Sequence, residues 1–339
     1  MINMVKIDLD DIKINNNIKI LITGVAGFIG SNLLEFFLKK GLYIRGIDNF
    51  STGFQSNIDE AISEASKVNR KINFEFYKGD IRNYKNCLKA TRNVDIVFHE
   101  AALGSVQRSI EEPVESSSVN INGTINLLKA ALDNKVERFV YASSSSVYGD
   151  SKKLPKAENM VTNPKSIYAL SKLTSENYCR LFYKLFELRT ISLRYFNVFG
   201  KMQNPNSIYS AVLPLFLKNI LKDCKPVIYG DGNQSRDFTY IDNVIYANYL
   251  AAFSNNYNSF GNYYNVACGK NISLNEIVDL LSEYFNRKIM PIYKEERLGD
   301  VKHSLASLNK ISKDLSYKPL LNFNSGLKQL INWAWEHFS

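Results

Sequence analysis

The 339-residue chain is poor in the residues that build metal and redox centres, with four cysteines, three histidines and two tryptophans. Cys87, Cys179, Cys224 and Cys268 stand far apart, form no CxxC pair and have no histidine close by in sequence. That excludes a local zinc or disulfide motif and points to reduced thiols in the cytoplasm. His99, His303 and His337 are isolated, so they supply neither metal-ligand spacing nor a Ser/His/Asp set, and His99 reads as the end of a strand. No segment sustains the apolar run of a membrane span, and the polar, mixed-charge stretch 1–17 is unlike a signal peptide. The net charge is +9, but the lysines are scattered and often sit among asparagines, with no basic block. Neither nucleic acid nor a membrane is therefore an expected partner.

Hydrophobic residues make up 45% of the chain, enough for a substantial core. Apolar strand-like runs at 18–23, 43–47, 73–77, 95–99, 138–143 and 190–195 alternate with helical patterns at 28–40, 119–133 and 169–185. This rhythm predicts an α/β fold with a doubly wound parallel sheet. After Phe199 come turns such as Asn204-Pro205 and Gly230-Asp231-Gly232, which predict loops instead of further βαβ units and a smaller C-terminal substrate lobe. The expected division is 17–196 plus about 237–268 for the first lobe and about 197–236 plus 269–339 for the second. With no long linker between them, the lobes should pack as one unit.

Ile20 to Gly30 runs from a strand through a glycine-spaced turn into an amphipathic helix. Gly24 permits the turn, Gly27 lets the backbone approach a pyrophosphate, and Gly30 allows close helix packing beside Phe28 and Ile29. Asp48 ends the second strand, where a carboxylate accepts hydrogen bonds from a ribose; it can also begin a turn. The charge of Asp48 favours NAD over NADP, although Arg45 nearby leaves some room for a 2′-phosphate. Asn49, Ser51, Thr52 and Gly53 after the second strand, Asp80-Ile81 after the third and Ala101-Ala102 after the fourth fall where strand ends meet a cofactor, as does Tyr195.

Tyr168 and Lys172 lie four residues apart on one face of a helix start. An ammonium and an oxidised nicotinamide would both stabilise the phenolate and make Tyr168 a usable base. Alone, YxxxK is more often a surface pair; behind a glycine turn, an Asp-ended strand and the run Ser143 to Ser146 it reads as chemistry.

Together these motifs resemble the extended short-chain dehydrogenase/reductase family, in its nucleotide-sugar branch. Ala101 to Val106, Arg194 to Gly200, Ser235 to Phe238 and Gly299 to Ser304 are most similar to bacterial UDP-N-acetylglucosamine 4-epimerases. The resemblance implies NAD as cofactor, a UDP-sugar as substrate and a homodimer built on the 119–133 and 169–185 helices. It casts Ser144, flanked by Ser145 and Ser146, as the group on the sugar C4 oxygen. Tyr168 is the proton carrier, and Lys172 the group that lowers the tyrosine pKa and holds the nicotinamide ribose. Asn197, Arg236 and Arg297 would hold the diphosphate, with Gly104, Ser105 and Ser304 beside the sugar. Related dehydratases and decarboxylases carry an acid shortly after the catalytic hydroxyl, where Ser145 and Ser146 stand here. Epimerisation is the expected reaction, with those neighbouring chemistries or an idle NAD-binding protein as alternatives. A small Ser304 leaves room for an N-acetyl group.

Overall fold

The computed structural model describes residues 8–15, 17–204, 212–296 and 302–338. Seven parallel strands form one sheet. In chain order they are β1 (Lys19–Thr23), β2 (Tyr43–Asp48), β3 (Phe74–Lys78), β4 (Ile96–His99), β5 (Arg138–Ser144), β6 (Arg189–Tyr195) and a last strand, Asn262–Val266. Across the sheet the order is β3-β2-β1-β4-β5-β6 followed by 262–266, the Rossmann arrangement, which reverses direction between β1 and β4. Helices cover both faces, which is why β1, β4 and β5 are apolar through their centres and almost fully buried.

Helices Phe28–Lys39, Gly123–Asp133 and Ile167–Phe186 stand where the sequence pattern places them, the second entered through the wide turn Ser118–Asn122. One expectation fails. Beyond Phe199 the chain makes another crossover, through helix Ile241–Ala252, and adds the strand 262–266 parallel to β6. The remaining elements include the pairs Val227–Tyr229 with Ile292–Lys294 and Ser235–Asp237 with Asn271–Ser273, and helices such as Leu274–Tyr284 and Phe323–Phe338. One hydrophobic cluster runs from Ile20 and Phe98 through Phe199, Phe238 and Leu274 to Ala334, so the parts share a continuous core. At its far edge the Trp333 indole donates to Glu60, 2.7 Å away. Among the described residues, no helix is long and apolar enough to cross a membrane.

Candidate active site

Parallel register aligns the strand ends. Thr23 pairs with Ile47 and His99, His99 with Tyr141, and Ser144 with Tyr195, so their following residues emerge along one edge. A crevice opens there at the β1/β4 switch point. Gly24 has φ +68°, and a Cβ on it would lie 2.8 Å from the Ala101 backbone; one on Gly30 would lie 2.2 Å from the Gly24 carbonyl oxygen. Gly27 begins helix Phe28–Lys39 with no side-chain cap, so the first-turn amides face the crevice without a protein side chain to cap them. Gly53 packs in turn against Ala26, where a Cβ would come within 2.7 Å.

Asp48 has the turn role that its position allows. Its Oδ2 accepts from Ala26 N at 2.9 Å and its Oδ1 from Phe50 N at 2.7 Å, which fixes the glycine turn. Each oxygen keeps a lone pair for another donor. Burial raises its pKa, and those backbone bonds oppose the rise. Asn49 donates to Asp80 at 3.0 Å and accepts from Ser51 N, drawing the ends of β2 and β3 together. Ser51, Thr52, Ile81, Ala101 and Ala102 line the same crevice. Arg45 does not. Its guanidinium is held by Glu75 at 2.9 Å and by the carbonyls of Ala90 and Arg92 at 3.0 and 2.8 Å, which removes the expected opening toward a 2′-phosphate. A glycine cradle, an uncapped helix N-terminus and a strand-end carboxylate together fit a dinucleotide.

Tyr168, Lys172 and Tyr195 line the other half of the crevice. Helix Ile167–Phe186 starts where Ser166 accepts from Ala169 N at 3.1 Å, while Tyr168 N donates to Ser109 at 3.1 Å. One turn on, the buried Lys172 ammonium donates to the Ala142 carbonyl at 2.7 Å and sits 5.9 Å from the Tyr168 ring centre. Among the three serines, Ser144 is the one that acts on the Tyr168 phenol, favouring its ionised form. Ser146 donates to Ser144 from its amide at 3.2 Å and its hydroxyl at 2.9 Å, and Ser145 begins the short turn that follows.

The charges are set mainly by burial. It lowers Lys172 to about 8, opposed by Glu100. It raises Tyr168, with the Ser144 bond pulling the other way. The tyrosine rests as a phenol, and a cation placed beside it would favour the phenolate.

On the far side, Asn197 and Arg236 line a pocket with Tyr229, Gln234 and Phe238. Arg236 donates to the carbonyls of Ser235 and Lys302 at 3.1 and 2.9 Å. Ser304 does more than leave space: its hydroxyl accepts from Asn197 at 3.2 Å and from Asp237 N at 3.3 Å, tying three segments together. Gly104 has nothing within 4 Å of an added Cβ, and Ser105 caps the next helix. Arg297 lies outside the described residues.

Several supporting residues were not picked out from the sequence. Glu176, one turn after Lys172, forms a fully buried pair with Arg194 at 2.6 and 2.9 Å and accepts from Ser143 at 2.8 Å, clamping the helix to β5 and β6. Asn120 accepts from Leu103 N at 2.8 Å and donates to Ser171 at 3.1 Å. Asp237 accepts the amides of Cys268, Gly269 and Ala306 at 3.0, 3.0 and 3.1 Å. Glu100 enters the crevice from β4. Their partners lie too far along the chain for any local motif to show them.

Such a sheet, cradle and Tyr/Lys pair define a dinucleotide-dependent enzyme of the short-chain dehydrogenase/reductase type. Residues 20–267 match the NAD dependent epimerase/dehydratase family, and the chain belongs to that family, with NAD as its cofactor. A UDP-glucuronate 4-epimerase from Thermodesulfobacterium geofontis is 34% identical over 322 residues, spanning 94% of this chain and 96% of its own. A UDP-N-acetylglucosamine 4-epimerase from Methanobrevibacter ruminantium, solved with UDP-N-acetylmuramic acid, superposes with TM-score 0.86 and 35% identity over 96% of this chain and 99% of its own. A UDP-glucuronic acid 4-epimerase from Bacillus cereus, solved with UDP-glucuronic acid and NAD, gives TM-score 0.84 and 30% identity over 94% and 99%. The chain is thus an enzyme of the UDP-sugar 4-epimerase group.

Proposed function

We propose that this enzyme interconverts UDP-N-acetylglucosamine and UDP-N-acetylgalactosamine at C4. The observation that carries the reading is the Lys172 ammonium 5.9 Å from the Tyr168 ring in one crevice, with Ser144 at the end of β5 in a run 143–146 that holds only serines. In this reading Gly24, Gly27, Phe28, Ile29 and Gly30 cradle the pyrophosphate of NAD, and Asp48 takes a ribose. Asn49, Ser51, Thr52, Gly53, Asp80, Ile81, Ala101, Ala102 and Tyr195 complete that wall. Bound NAD supplies the reversible hydride acceptance the chemistry needs. Ser144, assisted by Ser146, orients the C4 hydroxyl. Tyr168, as the phenolate that the charge of the oxidised nicotinamide and of Lys172 would favour, takes its proton and returns it after the keto sugar has turned over. Asn197 and Arg236, with Arg297 as the sequence implies, hold the diphosphate in the second lobe, whose bounds follow the sequence division. Gly104, Ser105 and Ser304 leave space beside the sugar.

The test is incubation of the NAD-loaded enzyme with UDP-N-acetylglucosamine and separation of the products; absence of the C4 epimer would end this assignment. A second reading, UDP-glucuronic acid, is favoured by Arg108 lining the same crevice as Ser105, since a guanidinium suits a carboxylate. Faster turnover of the uronic acid would select it, and loss of water or a build-up of NADH would select a neighbouring reaction. We also propose a cytoplasmic homodimer. Leu170, Leu181 and Leu185 on helix Ile167–Phe186, with Val106, Ile110 and Val114 beside it, are exposed, whereas helix Gly123–Asp133 presents no large exposed apolar side chain. A monomer mass by sedimentation would exclude the dimer.

A further inference from the structure

Glu100 follows His99 at the carboxyl end of β4. Its Oε1 accepts from the Tyr195 hydroxyl at 2.9 Å, and Asn248 also donates to that hydroxyl at 2.8 Å. Oε2 is buried with no hydrogen-bond partner among the described residues. The residue borders both halves of the crevice and, among the described residues, is the one acid lining the half that contains Tyr168 and Lys172. The charged and titratable groups acting on it are the phenol of Tyr195 and the Lys172 ammonium. Burial raises the Glu100 pKa to about 7, opposed by the Tyr195 bond and by Lys172.

A buried carboxylate oxygen without a donor is costly unless a ligand brings charge to it. The oxidised nicotinamide ring is a cation and the reduced ring is neutral, so a nearby carboxylate favours the oxidised form. We propose that Glu100 is the charge-balancing residue of the cofactor site, its carboxylate holding the bound nicotinamide toward the oxidised form so that each hydride taken from substrate is readily returned. The exchange it biases is balanced by the sugar. The carbinol C–H bond breaks as its hydride passes to the nicotinamide, the O–H proton goes to Tyr168, and the return step reverses both. Glu100 is a positioning residue for charge and transfers nothing itself.

Mediated redox titration of the purified NAD-loaded protein, without sugar, tests this. Glu100→Gln keeps an acceptor for Tyr195 but loses the charge, and it should favour the reduced cofactor about tenfold more than the native side chain does, a midpoint about 30 mV higher for a two-electron couple. Glu100→Asp retains the charge and should stay near the native midpoint. Should the Gln variant not fold, Glu100→Met supplies the uncharged comparison. An unchanged or lower midpoint in a folded, uncharged variant overturns the proposal. The inference rests on NAD binding and on hydride return, but the readout involves no sugar, so it can fail while the sugar assignment stands, and the reverse.

Discussion

Acidification should attack this enzyme through His99. Its Nδ1 lies 2.8 Å from Thr23 Oγ1 and its Nε2 2.9 Å from Thr124 Oγ1. Thr124 donates to the Asn120 carbonyl at 2.7 Å, so at this contact it must accept, and Nε2 carries the proton. Thr23 accepts from Ala101 N at 3.2 Å and donates to Nδ1. The site therefore fits a neutral imidazole, and protonating Nδ1 turns its contact with Thr23 into a clash of donors unless the hydroxyl rotates. Burial first, then the Lys172 charge, lowers the His99 pKa from 6.5 to about 3. The unfolded chain thus binds this proton at a higher pH than the folded one does. Stability is flat above pH 6.5, is lost as pH falls below it, and levels off below about 3. The loss attributable to His99 is about 2 kcal/mol between pH 7 and pH 5 and about 4 kcal/mol by pH 3. Urea unfolding at pH 7 and pH 5 measures it when compared with His99→Gln, whose amide can donate to Thr124 and accept from Thr23. The variant should lose about 2 kcal/mol less than the native protein over that interval, the carboxylate contributions being common to both. Equal losses in the two proteins would show that the histidine is not held neutral, and the reasoning would fall.

Three further outcomes follow from the site. Gly30→Ala forces a methyl to 2.2 Å from the Gly24 carbonyl, so the purified variant should bind NAD at least about tenfold more weakly by calorimetry, a loss of about 1.4 kcal/mol or more. Glu176→Gln leaves the Arg194 guanidinium buried without its counter-charge and should lower stability by about 3–5 kcal/mol in chemical denaturation. Tyr168→Phe removes the proposed proton carrier, and kcat should fall by about 10²–10⁴ with cofactor content unchanged. Retained turnover would exclude that role.

The fold was legible where the physics is local. Strands covered on both faces are apolar through their centres, and Ile20 to Ile22, Ile96 to Phe98 and Phe139 to Ala142 show it as plain hydrophobic runs. Helix Gln55–Ser66 buries only Ile58, Ala61 and Ala65, so its pattern is faint. The strand Asn262-Tyr263-Tyr264-Asn265-Val266 has a single partner, β6, and a polar and aromatic composition, so it was hidden among the turn residues before it. The glycine cradle and the Tyr/Lys pair were legible for the same local reason, each being one turn of backbone. The carboxylates behind them were not, because Glu176 meets Arg194 across 18 residues and Glu100 meets Tyr195 across 95.

That last pair bears on the reaction itself. The serines at 145 and 146 leave no acid beside Ser144 along the chain, yet β4 delivers one to the same crevice. Absence in sequence was therefore not absence in space. Epimerisation remains the favoured chemistry because of what Glu100 touches: one oxygen is committed to the Tyr195 hydroxyl, and its charge acts on Lys172. Ser146 is bonded to Ser144, which acts on the Tyr168 phenol, and Glu100 is bonded to none of the three. An acid placed among the cofactor's charges tunes a hydride that goes out and comes back. One placed beside the hydroxyls would have been positioned to take a second proton and drive water elimination.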